Sequence, residues 1–220
     1  MSGVLIDAGM TEIILKAFWQ TLYMVFWSTL FSVILGFIPA IVLTLTAPEG
    51  LKPNKVVYEV LSLIINIFRS FPFIILLVIL IPFTRMVVGK AIGTTASIVP
   101  LTISAVPFIA RVFETSLRGT NPGVVEAARS FGASNLQILM HVYVKESIPR
   151  MLNGIVLLII SLIGYSAMAG TVGGGGIGDI AIRYGYQQYK TDYLVVCSII
   201  LIVFVQLIQM IGNYMYKKMS

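Results

Sequence analysis

Side chains that could carry out covalent or metal chemistry are few in this sequence and lie far apart. The single histidine, His141, has no cysteine, aspartate or glutamate at the spacing of a metal site. The single cysteine, Cys197, lies in an apolar stretch and excludes an intrachain disulfide and a multi-cysteine metal site. No grouping of serine, histidine and acid supports nucleophilic catalysis. The sequence therefore predicts neither an enzyme active site nor a metal site on this chain.

A run of glycines is the next feature whose spacing could do chemistry. Six glycines fall within residues 170–178 and include the pattern Gly173-x-Gly175-x-x-Gly178, which formally matches a dinucleotide-binding fingerprint. That fingerprint requires a preceding β-strand and a following helix, whereas a long apolar run precedes these glycines. No Gly-Lys-Ser/Thr follows them. We therefore predict that this chain neither binds a dinucleotide nor hydrolyses ATP.

The composition indicates that membrane-spanning helices position the few polar groups. The 220 residues are 58% hydrophobic and 11% charged, with a mean hydropathy of +0.96. Soluble domains are about 45–50% apolar and about 25% charged, so a water-soluble enzyme is excluded, and so is a disordered chain. The excess of 15 Lys and Arg over 9 Asp and Glu is typical of basic cytoplasmic loops. The length predicts one domain, residues 1–220.

Five stretches are long and apolar enough to cross a bilayer, which takes about 20 residues of helix. Four of them contain no charged residue, and the fifth is interrupted only by Arg69. We therefore predict an all-α membrane protein with five transmembrane helices at about residues 20–45, 60–83, 92–111, 151–171 and 193–214.

The distribution of Lys and Arg predicts the orientation of these five spans, because cytoplasmic loops carry the excess of positive charge. Nine positive residues fall on the side of the 46–58 loop, the 111–150 segment and the C-terminus, and five fall on the other side. The sequence therefore predicts an N-terminus outside the cell and a C-terminus in the cytoplasm.

The longest connection, residues 112–150, lies between the third and fourth spans and is predicted to contain two short cytoplasmic helices. Asn121-Pro122 provides an N-cap followed by proline at the first helical position, and Gly132 ends that helix. Ser134-x-x-Gln137 is a capping box that begins a second helix. That helix is expected to run toward Pro149.

The first of these helices, residues 122–131, has two interpretations from its residues alone. It could be an amphipathic helix that lies flat on the lipid surface, or a docking helix for a cytoplasmic partner. Its short length, its small apolar residues and its lack of a basic face favour the partner. One side of the helix is predicted to carry the apolar residues Val124, Ala127, Ala128 and Phe131.

Residues of this same helix carry a family resemblance. Glu126-Ala127-Ala128-x-x-x-Gly132 resembles the EAA signature of the permease subunits of ATP-binding-cassette importers. Val142 stands where isoleucine is usual in that signature. Val144-Lys145 stands where Leu-Pro is usual, and Ile148-Pro149 follows four residues later. This departure concerns the bend after the second cytoplasmic helix and leaves the docking helix unaffected.

The resemblance covers about residues 15–216 and is closest to the methionine-type permeases. The segment 164–173 is similar to their fourth span, and the segments 69–77 and 81–85 are similar to their second span. The resemblance implies a permease subunit in the bacterial cytoplasmic (inner) membrane that forms a pathway for methionine by alternating access. A permease for another small amino acid or thioether compound is the first alternative. An ion-coupled secondary transporter is less favoured, because five spans cannot form two equal repeats.

The resemblance also implies partners and a coupling site. A separate ATPase dimer, which binds ATP and Mg, would dock at Glu126, Ala127, Ala128 and Gly132, and this chain would hold no cofactor of its own. An extracytoplasmic substrate-binding lipoprotein would deliver the substrate. Because a symmetric ATPase dimer offers two docking sites and this chain has one motif, a homodimer is expected. The remaining partner is the lipid bilayer, and no nucleic acid is expected.

The fourth span supplies the candidate residues of the translocation pathway. Tyr165, Ser166 and Met168 are these candidates, because a flexible thioether and an aromatic ring suit an apolar thioether substrate. Ser166-x-x-x-Gly170 and Gly36-x-x-x-Ala40 follow a spacing that lets membrane helices touch, either within the chain or along a seam between two copies. The glycines of 170–178 form either a flexible extracytoplasmic loop or a turn that re-enters near the mouth of the pathway.

Overall fold

The computed structural model describes residues 8–219, and no β-strand occurs within them. The α-helices are α1 (Ala8–Thr46), α2 (Lys55–Ser70), α3 (Phe73–Ile79), α4 (Ile81–Val88), α5 (Thr94–Arg118), α6 (Pro122–Ser130), α7 (Asn135–Ile138), α8 (Lys145–Thr171), α9 (Ile177–Ile180) and α10 (Thr191–Met219). Two π-helical segments, Leu139–Val144 and Ala181–Gln187, follow α7 and α9.

Four helical stretches are long and apolar enough to cross a membrane, and the broken pair α2 and α3 provides a fifth candidate. The prediction of an all-α, multi-pass membrane protein is therefore confirmed. The helices are longer than predicted: α1 begins at Ala8 instead of about residue 20, and α5 continues to Arg118 instead of about residue 111. Hydropathy marks only the part of a helix that suits hydrocarbon, whereas the backbone hydrogen bonds continue into polar surroundings.

The second span is not the unbroken helix predicted over residues 60–83. α2 ends at Ser70 and α3 begins at Phe73. Pro72 causes the break, because it lacks an N–H for the helical ladder and disfavours helical backbone angles in the residue before it. Arg69, the one charge within the predicted span, is an exposed residue in the last turn of α2.

The second cytoplasmic helix also differs from its prediction, because it does not end near Pro149. α7 continues through the π-helical segment Leu139–Val144 directly into α8, which contains Pro149. One helical stretch, 135–171, therefore joins the predicted second cytoplasmic helix to the fourth span.

The chain divides into two compact units. Unit 1 comprises the chain through Phe31 together with Phe71–Ala105 and Ile159–Met210, and unit 2 comprises Ser32–Ser70, Val106–Leu158 and the chain from Ile211 onward. The connections that were predicted to be cytoplasmic, including 46–58 and 112–150, fall in unit 2. The connections predicted to lie outside the cell fall in unit 1.

Each unit has its own apolar core. In unit 1 a cluster joins α1, α9 and α10 and includes the buried Cys197, which packs as a small apolar residue. In unit 2 a cluster of six buried side chains surrounds the attachment of α6, namely Leu51, Leu117, Val125, Ile138, Leu139 and Tyr143.

Candidate functional site

The helix α6 begins and ends as its sequence predicts. The Asn121 side chain accepts a hydrogen bond from the Gly123 backbone N–H at 2.9 Å, and Pro122 occupies the first turn. At the other end Gly132 has a φ of +80°, and its N–H donates to the Arg129 carbonyl at 2.9 Å. Glycine reaches this left-handed conformation without steric strain, and the conformation closes the helix. Local hydrogen bonds at both termini therefore define where α6 begins and ends.

The side of α6 that packs on the rest of unit 2 contains Val125, whereas the side predicted to carry the apolar residues is mostly exposed. Val125 is buried in the unit 2 cluster, and the partly buried Ala128 packs against the same cluster. By contrast, Val124 is exposed and Phe131 is 91% exposed. Tertiary packing selected Val125 as the anchor, so the apolar residues Val124 and Phe131 face away from the core.

The four predicted coupling residues lie close together at this surface. Glu126, Ala127 and Gly132 are exposed, and Ala128 is partly buried. A groove of about 430 Å³ between the end of α6 and the segment that follows is lined by two of the four, Ala128 and Gly132, together with Phe131, Gln137 and His141. The exposed apolar side chains of this surface are Val124, Phe131, Leu136 and Met140. We call these residues, with Glu126, Ala127, Ala128 and Gly132, the α6 surface.

The capping box at the start of α7 is confirmed. The Ser134 N–H donates to Gln137 Oε1 at 2.8 Å, and the Gln137 N–H donates to Ser134 Oγ at 3.4 Å. His141 is exposed, and its Nδ1 lies 3.3 Å from the Gln137 carbonyl oxygen. The lone histidine is therefore a surface residue of the helical turn after α7.

The three pathway candidates on α8 have different surroundings. Met168 is 47% exposed. Tyr165 is half-buried and stacks on Phe73, with the ring centroids 4.8 Å apart. Ser166 is buried, and its hydroxyl donates to the Ile163 carbonyl at 2.7 Å. Within this chain, Met168 is thus the most accessible of the three, whereas the Ser166 hydroxyl already has a partner in its own helix.

The glycine-rich segment folds back onto α8 as an ordered turn. Gly173, Gly175 and Gly176 all have positive φ values. The Gly176 N–H donates to Gln20 Oε1 and the Ile177 N–H donates to Thr21 Oγ1, both at 3.0 Å. These bonds attach the turn to α1 and favour the predicted turn over the flexible loop.

Small residues in this turn allow two helices of unit 1 to approach closely. A Cβ at Gly178 would overlap the backbone of Ala167, and one at Gly170 would overlap the backbone of Asp179. Gly36 likewise lies against Ile109 and Val106 of α5 within unit 2. The small-residue spacings in the first and fourth spans therefore serve packing inside the chain.

An ion-pair cluster near the end of α5 was missed by the sequence prediction. Glu114 is only 2% exposed, and it pairs with Arg111 at 2.6 Å and with Arg118 at 3.3 Å. The prediction ended the third span at about residue 111 and placed every acid outside the spans or at their edges. The spacing of these three residues along one helix, i, i+3 and i+7, was the available signal.

These features define an all-helical, multi-span membrane protein with a short exposed helix in the connection between the third and fourth spans. Residues 32–220 match the family described as binding-protein-dependent transport system inner membrane component. The chain belongs to this family of transporter permease subunits.

Relatives and a solved structure agree with this assignment. The chain is 46% identical over 210 residues to the probable D-methionine transport system permease protein MetI of Vibrio cholerae, covering 96% of this chain and 93% of that protein. It is 42% identical over 198 residues to the methionine import system permease protein MetP of Bacillus subtilis, covering 90% and 89%. An inward-facing structure of the MetNI methionine ABC transporter superposes with a TM-score of 0.95 at 40% identity, covering 98% of this chain and 100% of that one.

Proposed function

We propose that this chain is the membrane-spanning permease subunit of an ATP-driven methionine importer. The observation that carries the proposal is the α6 surface, which displays the EAA-type residues on a helix anchored from behind by Val125. Relatives at 42–46% identity are named as methionine permeases, which supports methionine as the substrate. Another small amino acid or thioether compound is the alternative substrate.

The exposed residues of α6 suit a protein partner better than lipid. A helix that lies in the membrane interface has a polar face rich in Lys and Arg. The exposed side of α6 instead carries one acid, Glu126, one base, Arg129, and the aromatic ring of Phe131. Exposed aromatic and arginine side chains are enriched at protein interfaces. We therefore assign the partner at this surface as the ATPase, which binds ATP and Mg.

The transport cycle follows from this docking. ATP binding would close the ATPase dimer, displace α6 in each of two copies of this chain and open the pathway outward. A binding protein would then release methionine into the pathway, where Met168 is the exposed candidate contact. Hydrolysis would return the inward-facing state. In this proposal the N-terminus lies outside the cell and the C-terminus in the cytoplasm, with unit 2 containing the predicted cytoplasmic connections.

The test is ATP-dependent uptake of labelled methionine by cells that lack their own methionine importer. This chain is supplied with its cognate ATPase and binding protein, and Glu126→Lys is compared with wild type. We expect uptake to fall about tenfold or more, because reversing a charge in an interface places it against groups arranged for the opposite sign. Glu59→Lys, the same change at an exposed site on α2, is the control and should retain uptake.

Each outcome has a distinct meaning. Loss of uptake in Glu126→Lys, with uptake retained in wild type and in Glu59→Lys, supports both the substrate and the docking site. Copurification of the ATPase with the wild-type chain, without methionine uptake, would keep the permease assignment and reject methionine. Normal uptake with Glu126→Lys would reject the assignment of the α6 surface as the coupling site.

A further inference from the structure

The buried carboxylate of Glu114 connects α5 to α2 within unit 2. Its Oε2 accepts a hydrogen bond from Arg111 Nη1 at 2.6 Å. Its Oε1 accepts from the Tyr58 hydroxyl of α2 at 3.0 Å and from Arg118 Nη1 at 3.3 Å. The side chain is only 2% exposed, and both carboxylate oxygens accept hydrogen bonds from protein groups.

The two arginines extend this cluster beyond α5. Arg111 Nη2 donates to Asn66 Oδ1 of α2 at 3.3 Å. Arg118 Nη2 donates to Glu49 Oε2, in the connection between α1 and α2, at 2.8 Å. Two carboxylates and two guanidinium groups therefore balance in charge, and one network joins α5, α2 and the segment that follows α1. We call it the Glu114 network.

The network lies next to the proposed docking helix. Arg118 is the last residue of α5, and Asn121, the N-cap of α6, follows three residues later. A cavity of about 570 Å³ is lined by Arg118 and Glu49 of the network and by Glu126 and Arg129 of α6. The short link from α6 thus leads directly to the charged end of α5.

A purely stabilising role does not account for this arrangement. Replacing a buried ion pair by well-packed apolar residues is often neutral or stabilising. What charged groups add is a fixed geometry, since a displacement that leaves one buried charge unpaired is costly. Elements joined at one buried carboxylate are therefore expected to move together and not to slide past each other.

We propose that Glu114 is a positioning residue that transmits displacement of α6 to α2 through the Glu114 network. This inference rests on the proposed docking of an ATPase at α6. α2 is the helix that ends at the break before Pro72, so the network connects the docking helix to the broken span. Without the carboxylate, the ATPase would still bind and hydrolyse ATP, and less of its motion would reach α2.

The test measures ATP hydrolysis and methionine uptake by the complete complex in proteoliposomes. Glu114→Gln preserves the size of the side chain and removes its charge. We expect the methionine transported per ATP hydrolysed to fall about tenfold, within the roughly 5- to 150-fold range of coupling between sites, while hydrolysis and the yield of assembled complex stay near wild type. Glu59→Gln removes a carboxylate from the exposed Lys55–Glu59 pair and should not change the ratio.

Tyr58→Phe is the second variant, because Glu114→Gln could fail to assemble. It deletes one hydroxyl that links α2 to the carboxylate and leaves every charge in place. The hydroxyl donates to Glu114 Oε1 at 3.0 Å and accepts from Arg118 Nη1 at 3.1 Å. We expect a smaller fall in the ratio, about threefold, at the lower end of the net contribution of a hydrogen bond, because both arginines still pair with the carboxylate.

The outcomes separate this inference from the proposed function. A wild-type transport ratio in an assembled Glu114→Gln complex would overturn the inference. So would a wild-type ratio in Tyr58→Phe when Glu114→Gln does not assemble, since the cluster would then serve only assembly. A wild-type chain that fails to bind the ATPase would overturn the proposed docking, and the inference with it.

Discussion

At the scale of single residues, the surroundings of a residue decide its accessibility and its tolerance of substitution more than its type does. Met168 and Ser166 lie two positions apart on α8, yet the first is exposed and the second is buried with its hydroxyl already bonded. Glycines show the same contrast. A Cβ at Gly178 would overlap the backbone of Ala167, whereas nothing lies within 4 Å of a Cβ built at Gly164. Equal substitutions at these two glycines should therefore have opposite effects.

Gly178→Ala is predicted to lower the thermal stability of the purified complex. Because backbone atoms fill the space that the methyl group needs, α9 must shift away from α8, at a cost of about 1–3 kcal/mol. Gly164→Ala should raise the stability slightly, since alanine is favoured over glycine in a helix by about 1 kcal/mol. Thermal unfolding in detergent compares the two variants with wild type. Equal melting temperatures for both would contradict the close packing of α9 on α8.

At the scale of elements, local signals explain where the short helices begin and end. Asn121 and Gly132 bound α6, and Ser134 with Gln137 begins α7. Long-range packing decided which residues of α6 face inward, and it selected Val125. The capping residues therefore determine the ends of α6 and the start of α7, and packing against the core of unit 2 determines which residues of α6 are exposed.

Ser134→Ala is predicted to loosen the start of α7. An N-cap serine contributes about 1 kcal/mol, so the amides of residues 135–138 should exchange hydrogen about fivefold faster where exchange proceeds through local opening. Ser130→Ala is the matched control, because the Ser130 hydroxyl donates to the Glu126 carbonyl inside α6 and alanine is a better helix former. Hydrogen exchange read by mass spectrometry tests both. Unchanged exchange in Ser134→Ala would argue against the capping box as the stabilising element.

At the scale of the whole molecule, the chain crosses the membrane several times, and the predicted cytoplasmic connections fall in one compact unit. In the proposed five-span arrangement the two termini lie on opposite sides of the membrane. The bias of Lys and Arg predicts which side is cytoplasmic. The proposed orientation makes each connection accessible from one side only.

Site-specific labelling tests that orientation. In a Cys197→Ala background, Gln188→Cys should react with a membrane-impermeant maleimide in intact spheroplasts, because residue 188 follows the glycine-rich turn on the predicted outer side. Lys52→Cys should react only after the membrane is opened. Both native residues are exposed, so a difference in labelling reports the side of the membrane on which each residue lies and not its burial. The reverse pattern would invert the topology, and labelling of both in intact spheroplasts would reject a five-span arrangement.

The sequence by itself determined the features that depend on local or compositional physics. Apolar stretches of bilayer length predicted the all-helical membrane fold, because unpaired backbone groups cannot be exposed to lipid. The capping residues Asn121 and Ser134 predicted the starts of α6 and α7, and Gly132 predicted the end of α6, because each acts through bonds to neighbours in the chain. The EAA-type residues from Glu126 to Gly132 predicted the permease family.

Only the tertiary structure decided the features that depend on residues distant in sequence. It carried α7 through the π-helical segment Leu139–Val144 into α8. It also joined Glu114 to Tyr58, 56 positions away, where the sequence had shown only an acid near the end of a span. Burial and ion pairing arise from the packing of separate helices, and hydropathy along one helix carries no information about the helix that packs against it.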